Sequence, residues 1–215
     1  QREKTLVIAT SRSARDELNS QIREGLKEQG VLRGAEVRLE SLSPTGWTRA
    51  EMKHIANYNL QTQADLTKSD GLVVRFGRSY QSLGVEKGEY GRVTGINEEK
   101  GVVQLQMQDG RTIEWDPERA VKVEVFESRE KSLSSGDVIR WTRNDSDLGI
   151  RNGETALIRD IQSDGIAKVQ LLNGEIKEID LNAQRHWDHG YAGTIFSAQG
   201  RTSESVIAIM PSNSP

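Results

Sequence analysis

The sequence predicts a mixed fold: an α/β layer built from the two chain ends, with β modules inserted between them. Three observations lead there. A strand pattern at the start runs straight into an amphipathic helix. The middle of the chain repeats itself. Near the end, a polar loop rich in small residues leads into a second apolar run, Val206 to Ile209.

The opening run Thr5-Leu6-Val7-Ile8-Ala9 has the length and β-branched content of a buried strand. Thr10, Ser11 and Ser13 offer N-caps, and Ser13 with Asp16 has the spacing of a capping box. Ala14, Leu18, Ile22 and Leu26 then recur every fourth residue, which predicts one inward helical face ending near Gly30. Asn19 reads as a solvated residue of that helix. Glu36 to Glu40 alternates as a strand does, and Ser43-Pro44-Thr45-Gly46 marks a turn. Thr48 and Glu51 form a second capping box, predicting a helix through Tyr58 with Met52, Ile55 and Ala56 inward. Trp47, just before that cap, is placed to pack on the helix rather than to stack a base.

From Ser69 the pattern doubles. Ser69 to Arg78 aligns with Ser134 to Arg143, and Leu83 to Glu89 aligns with Leu148 to Glu154. Gln106 to Gly110 aligns with Gln170 to Gly174. The offset of about 65 residues exceeds solenoid periods, so each copy reads as a small domain. Each holds about five short strands with glycine-bearing turns, which predicts two tandem SH3-like β-barrels. Asp109-Gly110 and Asn173-Gly174 stand at hairpin tips, where such pairs favour type I′ turns. Val121 to Phe126 alternates and links or completes the first barrel, and Arg129 to Ser132 reads as a polar connector. The predicted boundaries are 1–30 with 187–215 for the α/β part, 31–68 for a connector, 69–126 for the first barrel and 134–186 for the second.

The closing stretch, Tyr191 to Thr202, carries the chemistry. Thr194 and Ser197 offer hydroxyls, Gln199 an amide, and Gly200 close backbone approach, a set that can hold phosphate without charge. It is also compatible with an ordinary turn before a core strand. The stretch resembles the "Y-A-x-T-x-H-x-x-Q-G-x-T" segment of RecD-type superfamily 1 helicases, in particular the helicase part of TraI/TrwC-type conjugative relaxases. Tyr191, Ala192, Thr194, Ser197, Gln199, Gly200 and Thr202 fit, and Phe196 stands where the pattern has His. The opening strand and helix, through Leu18-Asn19, match the "T-x(8)-L-N" start of the second lobe in the same relatives. The resemblance implies that the two chain ends form part of a RecA-like lobe, with the β modules as insertions. It implies that Thr194, Ser197, Gln199, Gly200 and Thr202 couple single-stranded DNA to bound nucleotide, with Tyr191 near the DNA.

Arg75, Arg78, Arg140 and Arg143 occupy equivalent places in the two copies, beside Phe76 and Trp141. Arginine next to an aromatic ring can grip phosphate and stack a base. The alternation points Phe76 and Trp141 into the core, so the arginines are the DNA candidates. Lys87, Arg92, Arg151 and Arg159 add scattered charge typical of a solvated face.

Composition sets the limits. The 215 residues are 34% hydrophobic and 28% charged, with a net charge of -3, which argues against a broad basic face but not against a local groove. There is no cysteine, so disulfides and thiolate metal sites are excluded. His54, His186 and His189 are the only histidines; no acidic or cysteine cluster completes a metal site around the last two. No signal peptide or apolar run of membrane-spanning length is visible, and a cytoplasmic location without membrane insertion is expected. The chain opens on a strand and stops just after one, which reads as a piece of a larger polypeptide.

No G-x-x-x-x-G-K-[ST] run is present, so this piece alone is expected to hydrolyse no ATP. The resemblance implies a parent that is an ATP- and Mg-dependent DNA helicase with relaxase activity. Its expected partners are single-stranded DNA and conjugative transfer or secretion proteins. A second reading is a tandem SH3/KOW-like module that binds RNA or a protein, since Gly88-Glu89-Tyr90-Gly91-Arg92-Val93 resembles a KOW pattern.

Overall fold

A computed structural model describes residues 5–59, 71–119, 122–194 and 205–209 of the chain. Strand β1 (Thr5–Ala9) leads into helix α1 (Arg12–Glu28) and the long strand β2 (Arg33–Pro44). The first repeat supplies β3 (Gly71–Phe76), β4 (Tyr90–Asn97), β5 (Val102–Met107) and β6 (Thr112–Trp115), and β7 (Val123–Ser135) follows. The second supplies β8 (Val138–Trp141), β9 (Thr155–Ile161), β10 (Ile166–Gln170) and β11 (Ile176–Asp180). Then come β12 (Trp187–His189), β13 (Ala192–Thr194) and β14 (Ser205–Ile209). The chain divides into two compact units, residues 1–39 with 131–215, and residues 40–130.

In the first unit, β1 lies between β13 and β14, parallel to both. Thr5 stands opposite Ser205 and Ala9 opposite Ile209, so strands from the two ends of the chain share one sheet. Leu6, Val7 and Ile8 are only half-buried, and Val206 and Ile207 are exposed, although the apolar runs predict buried strands. The β8–β12 strands form a separate five-stranded sheet in the order β11-β10-β9-β8-β12. Its core holds Ile139, Trp141, Ile158, Val169, Ile179 and Trp187. In the second unit, Phe76, Val93, Leu105, Trp115 and Tyr58 form the equivalent core. Trp47 packs edge-on against Tyr58 at 5.3 Å, as expected of a packing residue.

The repeat extends to individual hydrogen bonds. Phe76 N–H donates to Glu89 O at 2.9 Å, and Trp141 N–H donates to Glu154 O at 2.9 Å. Gly88 N–H donates to Phe76 O and Gly153 N–H to Trp141 O, both at 2.8 Å. Isolated bridges join Tyr80 to Val85 and Asp145 to Ile150. Phe76 and Trp141 are both core, as the alternation predicts.

Several local expectations change. Ser11, not Ser13, caps α1, accepting from Ala14 N–H at 3.1 Å, while Asp16 accepts from Arg15. The Thr48–Glu51 box forms in both directions. It opens two 3-10 turns, Glu51–Lys53 and Ile55–Tyr58, rather than an α-helix. The Glu51 carbonyl accepts from His54 N–H at 3.1 Å, the 3-10 spacing, and from Asn57 Nδ2 at 2.7 Å, and the Met52 carbonyl accepts from Tyr58 Oη at 2.7 Å. Ala56 is exposed and Tyr58 takes the inward place. Arg129 to Ser132 is no connector: it lies within β7, beyond the Val123–Ser128 part that pairs with β3, in a strand that β2 flanks on its other side.

The expected barrels do not close among the described residues. The strand orders are linear, with β6 at one sheet edge and β11 at another. β7 and β2 extend the first module's sheet to the order β2-β7-β3-β4-β5-β6, and β12 extends the second's.

The hairpin tips are not type I′, which needs two residues at positive φ. Only Gly110 (φ 87°) and Gly174 (φ 84°) adopt it. Gly110 N–H donates to Met107 O at 3.0 Å, and Gly174 N–H to Leu171 O at 2.9 Å. The loop is therefore a type I turn followed by a left-handed glycine. Asp109 and Asn173 side chains accept from the amides two residues on, at 3.1 and 3.0 Å. A Cβ at either glycine would meet nothing within 4 Å. Gly110→Ala and Gly174→Ala should therefore each cost about 1–2 kcal/mol through backbone strain alone. Urea unfolding of the two single variants measures this, and near-equal losses are expected.

Candidate nucleic-acid interface

The C-terminal ends of three parallel strands are level. Ala9 is opposite both Thr194 and Ile209. The α1 N-terminus, capped by Ser11, follows directly on β1, and β13 ends on Thr194 of the closing motif. In open α/β sheets, ligands bind beyond such carboxyl ends. Thr194 is half-buried at the end of β13. Ser197, Gln199, Gly200 and Thr202 lie outside the described residues.

What holds β13 in place is α1. Arg15, Asn19 and Arg23 are spaced by four residues and so form one helical stripe. They are 8%, 2% and 8% exposed, whereas Ala14, Leu18 and Ile22 are only half-buried. The most buried stripe of this helix is therefore polar, with Leu26 at its end. Asn19 is not solvated. Its Nδ2 donates to His189 O at 3.1 Å, and its Oδ1 accepts from Ala192 N–H at 2.8 Å. One amide thus pins both sides of the turn that leads into β13.

The arginines meet buried carboxylates. Arg15 pairs with Asp188 at 3.0 Å, and Lys131 pairs with the other Asp188 oxygen. Arg23 pairs with Asp137 at 3.0 Å and with Glu36 at 2.8 Å. Asp137 is fully buried and also accepts from Ser134 N–H at 2.7 Å and from the Tyr191 hydroxyl. His189 stacks on Tyr191 at 6.2 Å and sets its Nε2 3.0 Å from Ser132 O. Gly190 fits here because a Cβ would lie 2.8 Å from the Ile139 backbone.

The titration behaviour follows. Burial alone would raise the Asp188 pKa, but Lys131 and Arg15 outweigh it and bring it down to about 2. Burial lowers the His189 pKa, with Lys131 adding to the effect. Burial raises the Tyr191 pKa, helped by the Asp137 charge, so its hydroxyl stays protonated. Burial opposes the Arg23 charge, yet Asp137 and Glu36 hold it protonated more firmly than usual.

Of the other candidates, Tyr191 is half-buried with its hydroxyl engaged by Asp137. Arg75 pairs with Glu124 at 2.8 Å and lies 5.8 Å from the Tyr90 ring centre. Arg78 is exposed and lies over the Tyr80 ring at 4.6 Å. Arg140 and Arg143 are half-buried. Arg75 and Arg78 belong to one unit and Arg140 and Arg143 to the other. The residues that sequence reasoning missed are Asp137, Asp188, Arg15 and Arg23. A signal for Asp137 was present: the repeat aligns it with Leu72, which is fully buried.

Two outcomes are expected in urea unfolding. Asn19→Ala leaves a buried amide and a carbonyl without their partner and should cost about 2–4 kcal/mol, with Asn19→Asp intermediate because it can still accept from Ala192. Asp188 has a folded pKa below its ordinary 3.8, so its stabilisation is complete above about pH 4 and lost as pH falls toward 2. That loss is about 2 kcal/mol, and Asp188→Asn should lack this part of the pH slope while being less stable at pH 7 by about 3 kcal/mol.

No protein-family model matches the chain. Solved structures of Bacteroides Pif1 helicase, one with ADP-AlF3 and single-stranded DNA and one with single-stranded DNA, align over 95% and 96% of this chain and 34% of each of those chains. Identity is 13% in both, and the TM-scores of 0.23 and 0.22 establish no common fold. Multifunctional conjugation protein TraI of Escherichia coli K12 is 25% identical over 214 residues, 97% of this chain. A second Escherichia coli TraI is 23% identical over the same share. The chain is thus similar over nearly all of its length to TraI, and spans a stretch that makes up 11% of those relatives.

Proposed function

We propose that this chain is a DNA-gripping segment of an ATP-dependent DNA helicase within a conjugative relaxase of the TraI type. In this reading β1, α1, β13 and β14 belong to the second RecA-like lobe, and the two β modules are SH3-like insertions left partly open. The observation that carries it is the level ending of β1, β13 and β14, with Thr194, the first hydroxyl of the motif, at the end of β13. The similarity to TraI supports the same reading.

The work of this chain's own residues is positional. Asn19 sets the entry angle of the loop by holding His189 O and Ala192 N–H. Asp137, through Arg23 and the Tyr191 hydroxyl, ties the same turn to the second module. Thr194, Ser197, Gln199, Gly200 and Thr202 then contact the phosphates of single-stranded DNA and report nucleotide state, as the resemblance implies. ATP and Mg belong to the parent in this reading, since the sequence has no phosphate-cradling lysine loop. Nucleotide bound elsewhere in the parent would supply the closing force between lobes. Arg78, exposed and stacked on the buried Tyr80 ring, offers a cation to a passing phosphate, and Arg143 is its counterpart in the other module.

Fluorescence anisotropy with labelled oligothymidine tests this. The chain should bind it, with affinity falling as salt rises. Arg78→Ala and Arg143→Ala should each weaken binding about 3–10-fold and reduce the salt slope by about one. Absence of binding at low salt, or unchanged binding by the double variant together with Thr194→Ala, contradicts the proposal. Hydrolysis of ATP by the purified chain would contradict it as well.

A further inference from the structure

The two modules share a hairpin but not its surface. Met107 to Thr112 matches Leu171 to Ile176 residue for residue, and both close with the same bonds. Met107 N–H donates to Arg111 O at 2.8 Å, and Leu171 N–H donates to Glu175 O at 2.8 Å. The outward positions are Gln108 and Thr112 in the first module, both exposed and polar. In the second they are Leu172, 70% exposed, and Ile176, 58% exposed. The first module shows that this hairpin forms with polar residues there. The aliphatic pair is therefore not required by the turn.

Ile176 opens β11, an edge strand whose only strand partner among the described residues is β10. Ile179 points into the core, so Ile176, Glu178 and Asp180 share the outward face, and all three are exposed. The Leu171–Glu175 bond fixes the alternation of this antiparallel ladder. Lys177 and Ile179 turn their backbone groups to β10, and those of Ile176 and Glu178 turn off the edge. Glu175, Glu178 and Asp180 make this edge acidic. Of the neighbouring cations, Lys177 is half-buried, donates to Leu148 O at 2.7 Å and lies 3.6 Å from Glu175. Exposed Lys168 stands opposite Glu178 on β10, so Asp180 at the far end of the strand faces no lysine across the ladder. Carboxylates along the edge repel a nucleic acid and favour a basic partner.

We propose that β11 and its hairpin tip form a docking edge for an extended segment of a partner protein. That segment adds as a strand to β11, packs aliphatic side chains on Leu172 and Ile176, and sets basic residues against Glu178 and Asp180. This site is separate from the DNA surface proposed above and does not rest on it.

The test pans a random dodecapeptide phage library on the full chain and measures the enriched peptides by fluorescence anisotropy. The variants are Leu172→Gln with Ile176→Thr, which installs the first module's own residues, and Glu178→Lys; thermal melts establish that both fold. Enriched peptides should alternate aliphatic and basic residues. They should lose about tenfold or more in affinity for the double variant, and several-fold for Glu178→Lys. Oligothymidine binding should be unchanged in both. Failure to enrich any peptide, enrichment without that alternation, or equal binding to the double variant overturns the proposal. So does loss of oligothymidine binding in the double variant, which would assign the hairpin to DNA.

Discussion

The first unit depends on one constraint: three polar side chains on α1 must each meet a fixed partner at the same time. Arg15 needs Asp188, Asn19 needs the turn at His189 and Ala192, and Arg23 needs Asp137. A buried ion pair adds little net stability over apolar groups of the same shape, but losing one partner costs about 3–5 kcal/mol. Its effect here is on placement. Rotating α1 by one residue, or sliding it by one turn, would strand at least one buried charge. An apolar stripe would tolerate such shifts, because Leu and Ile contacts can be re-made in many ways.

This constraint links the duplicated module to the motif. Asp137 opens the second repeat at β8, and Asp188 lies in β12, its last strand. The first repeat has Leu72 at the place of Asp137, buried in its own core. The same backbone plan thus serves two ends: an apolar core residue in one copy, a charge tied to α1 in the other. The hairpins diverge in the same manner, polar in one copy and aliphatic in the other. Duplication kept the turn glycines and the backbone bonds, and changed the side chains that face outward or toward α1.

Much of the layout was legible in the sequence. The strand-to-helix opening, the repeat and the inward Phe76 and Trp141 follow from short-range patterns that the ladders preserve. The polar stripe was not legible in the same way. Arg15, Asn19 and Arg23 have the composition of a solvated face, and only distant carboxylates make them interior. Mispairing Leu72 with Asp137 in the repeat was the clue, since a charge in a core slot requires a partner. Arg129 to Ser132 was misleading for a related reason: it continues a long strand set by pairing along β7, not by its own propensity. The turn type was missed because Asp-Gly and Asn-Gly suit both a two-residue loop and the last two places of a three-residue one.

The proposed grip on DNA through hydroxyls, an amide and backbone would need a rigid base, since such contacts tolerate little misplacement. The central claim is that α1 and the second module supply that base as one cooperative body. Native-state hydrogen exchange tests it most directly. The amides of Asn19 and Arg23 in α1, Ala192 in β13 and Ile158 in β9 should open with the same free energy and the same denaturant dependence. Exchange of the α1 and Ala192 amides at a clearly lower free energy than Ile158 would show that the helix and the module open separately, and would contradict the account.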